Sequence, residues 1–262
     1  MTHEAEGRQA QRAGQSSEDR KPGRMQAGRK VLKLEGKRFR FGFHTLIFVH
    51  IPKCGGTSLH RTLENIQGLQ YRHLRGIPED LEGIESLDGI GGHQNFGSTP
   101  LHKSRSRLVY ITVIRSPVER VLSFYRHILD HPNHHLRRAH PDLKDASPTQ
   151  FVERLAAEGN YEISNLQTKM LTGNARLSVD AAIDHISKHY SIIGLLEETK
   201  SYLDPLRVLF PNGPIAPNTL NVSTPREVDT LRTPQFEALV QELNDKDHAI
   251  YEHFAQLQHR SA

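Results

Sequence analysis

One stretch limits the fold more than any other: "TLIFVHIPKCGGTSLHRTLENI", residues 45–66. Its opening, "TLIFVHI" (45–51), is a continuous apolar run rich in β-formers, as a strand buried on both faces of a parallel sheet requires. Its close, "TSLHRTLENI" (57–66), sets Leu59, Leu63 and Ile66 at helical spacing. A strand that runs through a glycine pair into a helix presents a cradle of backbone N–H groups, reinforced by the helix dipole. Lys53 adds a full charge there, and Thr57 and Ser58 add hydroxyl donors. Glycines in such a turn can serve the backbone alone. The lysine and the paired hydroxyls point instead to a bound anion, most naturally a phosphate.

The alternation continues along the chain. "RLVYITVI" (107–114) reads as a second buried strand. The helix after it begins with Ser116 as cap, Pro117 at the first helical position and Glu119 closing a capping box. The same grammar recurs in "SPTQFVERLAA" (147–157). "YSIIGLLEE" (190–198) reads as a third strand leading into the helix "TKSYLDPLRVLF", and residues 233–258 as one or two amphipathic helices. The polar stretch "DHPNHHLRRAHPDLKD" (130–145) reads as an exposed loop. Strands separated by helices imply an α/β fold in three layers, a parallel sheet covered on both faces.

Charge divides the chain unevenly. Residues 1–40 carry 11 Lys/Arg against 5 Asp/Glu, and the remainder carries 23 against 25, so the net +4 belongs to the N-terminal segment. That segment has almost no large apolar residues and cannot offset the entropy of ordering. The expectation is a disordered basic tail over 1–42, a solvated leader rather than a nucleic-acid-binding arm, and one domain over 43–262. The single cysteine, Cys54, excludes an internal disulfide and a Cys-built zinc site, and fits a reducing, cytoplasmic compartment. No apolar run of about 18 residues occurs, so no membrane span is expected.

Two familiar phosphate loops fail on spacing. A Walker A loop has its lysine after the last glycine, whereas Lys53 precedes both. A magnesium-dependent hydrolase also needs an acid at a neighbouring strand end, where this chain has Arg115. In a cysteine-phosphatase reading Cys54 is the nucleophile, but six residues separate it from Arg61, one too many for that loop.

Whole motifs carry a resemblance. "HIPKCGGTS" (50–58) resembles the 5′-phosphosulfate loop of the membrane-type carbohydrate sulfotransferases, the heparan sulfate 2-O-sulfotransferase-like group. "VIRSPVERVLSFY" (113–125) resembles their 3′-phosphate motif, and "GGHQNFG" (91–97) the segment with their catalytic histidine. "NLQTKMLTG", "IIGLLEE", "LNVSTPRE" and "LNDKDHAIYEHF" follow in the family order.

The resemblance implies a soluble, bacterial-type relative with a nucleotide-kinase-like sheet and a P-loop-like phosphate loop. It would transfer a sulfuryl group from 3′-phosphoadenosine 5′-phosphosulfate (PAPS) to a hydroxyl of a carbohydrate or small molecule. In that reading Lys53 holds the bridging oxygen, and Cys54, Gly55, Gly56, Thr57 and Ser58 bind the 5′-phosphate. Arg115 and Ser123 bind the 3′-phosphate, and Ser223 and Thr224 contact the adenosine. His93 is the catalytic base, with His50 and His102 as fallbacks and Asn95 as a polar neighbour. Cys54 departs from the family's usual hydroxyl, which puts its side-chain contact in question. No metal is expected, because Lys and Arg supply the charge. The histidines at 127, 131, 134, 135 and 140 lack the carboxylate or cysteine companions of a metal site. A binding module without turnover is the alternative, and a magnesium-dependent kinase is a third; transfer to any acceptor separates the first from the second, and magnesium dependence marks the third.

Overall fold

The computed structural model describes residues 44–76, 82–84, 86–104, 107–211, 215 and 231–260. The expected tail and the segment holding Ser223 and Thr224 lie outside the described residues. Five strands form one parallel sheet: β1 (Thr45–Val49), β2 (Tyr71–Leu74), β3 (Gly89–Gly92), β4 (Leu108–Ile114) and β5 (Tyr190–Leu195). Their spatial order is β2-β3-β1-β4-β5, with every pairing parallel. The described helices are α1 (Gly56–Glu64), α2 (Leu101–Ser104), α3 (Pro117–Asp130), α4 (His135–Ala139), α5 (Pro148–Ala157), α6 (Leu166–Thr172), α7 (Val179–His189), α8 (Lys200–Leu209), α9 (Pro234–Leu243) and α10 (Asp245–His259).

Strand periodicity sorts β1 between two cores. Ile47 and Val49 pack with Leu171 of α6, Ile186 of α7 and Ile250 of α10. Leu46 and Phe48 pack on the other face with Leu59 and Leu63 of α1 and Leu206 of α8. All five strand residues of β1 are buried, which explains the unbroken apolar run. Each large side chain so buried contributes about 1.5–3 kcal/mol. A third cluster joins α3, α5 and α9 through Val121, Phe151 and Phe236. The expected three-layer α/β sheet is what the structure has. Among the described residues no helix is long and apolar enough to cross a membrane.

Three expectations change. The stretch 130–145 is not a loop: it forms α4 and a 3₁₀ turn over Pro141–Lys144, anchored by buried Leu136 and Leu143. Charged residues cover that anchor, so its polar composition hid the two apolar contacts. The α5 capping box is present, with Gln150 N donating to Ser147 Oγ at 3.3 Å and Ser147 N to Gln150 Oε1 at 2.9 Å. The one expected at α3 is not made, because Glu119 turns to Arg115 and Arg232 instead. Third, the sheet has two further strands, β2 and β3, that no apolar run marks. β3 is "GIGG", and a Cβ at Gly91 would lie 2.1 Å from Tyr71 Oη and 2.8 Å from Phe48 Cβ. Its glycines make room for neighbours in the sheet rather than for an approaching substrate.

Candidate active site

The sheet order sets the carboxyl ends of β3, β1 and β4 side by side, and each carries one motif. Ligands of parallel α/β sheets bind at such ends. After β1 the chain turns at Ile51–Cys54, where Cys54 N donates to Ile51 O at 3.2 Å. Pro52 holds the second turn position, and Lys53 follows at φ 70°. That φ is the type II value normally given to glycine, so a lysine held there is strained. Strain of this kind at a loop tip points to a functional demand on the side chain. Gly55 has φ 72°, and a Cβ there would lie 2.3 Å from Leu196 Cδ1. At Gly56 a Cβ would sit 1.9 Å from the His50 ring. Both glycines are therefore required by the fold.

No side chain caps the start of α1. Its first turn carries the exposed Thr57 and the half-buried Ser58, whose amide donates to Gly55 O at 3.1 Å. Burial, and next the Arg115 guanidinium, push the Lys53 ammonium below its usual range. Arg115, just beyond β4, donates from Nη1 to Lys53 O at 3.2 Å, so the two cationic motifs meet. Its Nη2 lies 3.5 Å from Glu119 Oε2, and its Nε 4.0 Å from Glu197 Oε1. Glu119 and Ser123 stand four residues apart in α3, which sets half-buried Ser123 on the helix face that Arg115 meets.

Cys54 does not face the cradle. Its buried thiol points toward Gln167 Oε1 at 3.6 Å, and burial pushes its pKa up to about 12. That answers the question raised by the cysteine's side chain: the thiol belongs to the core, and the Cys54 amide closes the turn onto Ile51 O. Gln167 was missed in the sequence. Its Oε1 also accepts from Arg115 N at 3.0 Å, and its Nε2 donates to Arg115 O at 2.8 Å. One amide thereby clips the β1 loop to the β4 end. Buried Asp247 holds that amide's helix, accepting from Gln167 N at 2.9 Å and Thr168 N at 2.7 Å. Fully buried Arg120 was missed too; its Nη2 donates to Glu162 O at 2.6 Å.

His93 follows β3 and is exposed, with Nδ1 2.8 Å from His50 O. A carbonyl only accepts, so Nδ1 carries the proton and Nε2 keeps the lone pair. The Asn95 side chain makes no bond to His93. The ring of His50, a fallback base, meets His60 of α1, Nδ1 to Nε2, at 3.1 Å. His102 bonds Tyr110 Oη at 2.9 Å. Burial raises the Glu162 carboxyl, while Arg120, His93, His135 and Lys53 oppose the rise. Burial and then Lys53 lower His127 of α3 to about 4.

His50, His60 and His73 present ring nitrogens close enough to suggest a metal site. The arrangement is a column rather than a coordination sphere. Both His60 nitrogens already have partners, and the His60 and His73 rings stack at 3.6 Å and 16°, so their lone pairs lie in nearly parallel planes.

Residues 38–202, more than half of the chain, match the model described as Sulfotransferase family. The chain belongs to that family. Two solved structures are similar to this sulfotransferase at 14% identity. A sulfotransferase from Alicyclobacillus acidocaldarius matches with a TM-score of 0.42, covering 77% of this chain and 95% of the other. Mouse sulfotransferase SULT7A1 complexed with PAP matches with a TM-score of 0.45, covering 90% and 94%. No curated protein matches the sequence.

Proposed function

We propose that this sulfotransferase takes its sulfuryl group from PAPS and delivers it to a hydroxyl of a carbohydrate or small molecule, within the heparan sulfate 2-O-sulfotransferase-like group and in the cytoplasm. The observation that carries the reading is the Arg115–Lys53 junction, a bond of 3.2 Å between the two cationic motifs beside the uncapped start of α1. Amides of the loop and the Thr57 and Ser58 hydroxyls hold the 5′-phosphate. Arg115 and Ser123 hold the 3′-phosphate, which distinguishes this donor from ordinary nucleotides.

Transfer is an in-line displacement. The acceptor oxygen bonds to sulfur as its proton passes to His93 Nε2, and the bond from sulfur to the 5′-phosphate oxygen breaks. Lys53 meets the charge growing on that oxygen, a role helped by its partial burial. Because the Cys54 thiol lies in the core, its place in the loop leaves the cradle of amides available. Lys and Arg supply the charge, so the transfer needs no metal.

The test is transfer from labelled PAPS to a panel of hydroxyl acceptors, with and without Lys53→Ala. Turnover should fall more than donor affinity, because the lysine interaction strengthens in the transition state. Binding of adenosine 3′,5′-bisphosphate without transfer to any acceptor would make the chain a binding module.

A further inference from the structure

We propose that His60 and Tyr71 are positioning residues for the base His93, acting through His50; the inference rests on the role given to His93 above. His50 supports His93 in two ways. Its carbonyl accepts from His93 Nδ1, which leaves Nε2 as the free base, and its ring lies under the His93 ring at 4.3 Å and 34°. His50 is itself held. His60 Nε2 lies 3.1 Å from His50 Nδ1, and His60 Nδ1 lies 2.6 Å from Tyr71 Oη. With the Tyr71 hydroxyl donating to His60 Nδ1, His60 Nε2–H donates to His50 Nδ1 and sets the plane of its ring.

Two glycines open the space for this column. A Cβ at Gly56 would lie 1.9 Å from His50 Cδ2, and one at Gly91 would lie 2.1 Å from Tyr71 Oη and 2.9 Å from His60 Cε1. Burial holds His50 and His60 neutral, at about 2 and 3. Neutral rings suit the task, since a charged neighbour would oppose the positive charge His93 gains when it takes the acceptor proton. The ionisable groups that feel His93 are His50 at the end of β1, His60 in α1, His73 in β2 and Glu162 beyond α5. The column therefore links three strand ends and α1 to one ring nitrogen. A base displaced by about 1 Å loses on the order of 10²-fold in rate.

The experiment combines kinetics with histidine-ring nitrogen NMR on the full chain. In the parent, His93 should appear as a single tautomer protonated at Nδ1. His60→Ala should mix its tautomers and lower kcat by about 10- to 100-fold, with affinity for adenosine 3′,5′-bisphosphate within about twofold. His60→Gln, which keeps a donor toward His50, should recover most of the rate. Tyr71→Phe, a milder change, should lower kcat a few-fold with unchanged melting temperature, and it decides the matter if His60→Ala fails to fold. Parent kcat and a single His93 tautomer in a folded His60→Ala or in Tyr71→Phe would overturn the inference. If the parent transfers nothing, yet His60→Ala still mixes the His93 tautomers, the positioning stands and the transferase reading falls.

Discussion

The starts of α3 and α5 share one grammar, Ser-Pro followed by an acid or amide at the third helical position, and the structure finishes them differently. At α5 the box closes, and Ser147 and Gln150 satisfy each other's backbone amides. At α3 the Ser116 side chain caps nothing, and Ser116 N donates to Glu197 Oε1 at 3.2 Å, a residue just beyond β5. Glu119, freed from capping, accepts from Arg232 Nη1 at 2.9 Å and pairs with Arg115. Local hydrogen bonds win where nothing stronger is near, as at α5. Beside Arg115 the Glu119 carboxylate turns to the two guanidiniums, and the carboxylate of Glu197 takes the Ser116 amide in its place. A helix start left open next to gathered cations is a mark of a binding end; a sealed one is scaffold.

The largest test of that contrast is Arg115→Ala. Removing the cation at the open end should weaken adenosine 3′,5′-bisphosphate by about 2–5 kcal/mol and adenosine 5′-phosphosulfate hardly at all. Equal losses for both ligands in calorimetry would show that Arg115 does not read the 3′-phosphate. Next in size is Gly56→Ala at the other open start, that of α1. The added methyl meets the His50 ring and should cost about 1–3 kcal/mol of stability, read as a lower denaturant midpoint. An unchanged midpoint would mean that the ring can move aside.

The smallest effects separate the two serines directly. Ser147→Ala should destabilise by about 1 kcal/mol and leave nucleotide affinity alone. Ser116→Ala should change stability by less than about 0.5 kcal/mol, since its hydroxyl caps no amide. Equal costs in chemical denaturation would erase the distinction between sealed and open starts.

Much of the fold was legible because its decisive preferences are local. Continuous apolar runs mark β1, β4 and β5, since strands covered on both faces need apolar side chains at every position. The edge strand β2 exposes Arg72 and His73, and β3 is three-quarters glycine, so neither carries that signal. The Cα positions that β3 leaves bare are explained by what crowds them across the sheet: the Tyr71 and His60 rings, the Leu46 and Phe48 side chains and the Leu74 carbonyl.

For the site, the sequence alone determined the cradle: a glycine pair, a lysine and a helix start act within a few residues of one another, through backbone geometry and the helix dipole. The tertiary structure decided the rest. It turned the Cys54 thiol inward to Gln167, 113 residues away, and used the same amide to bind Arg115, 52 residues away. It set His93 on the carbonyl of His50, 43 residues earlier, by pairing β3 with β1. Bonds between residues so far apart form only when the sheet closes. Spacing along the chain carries no trace of them, because strand order and not sequence distance determines which ends meet.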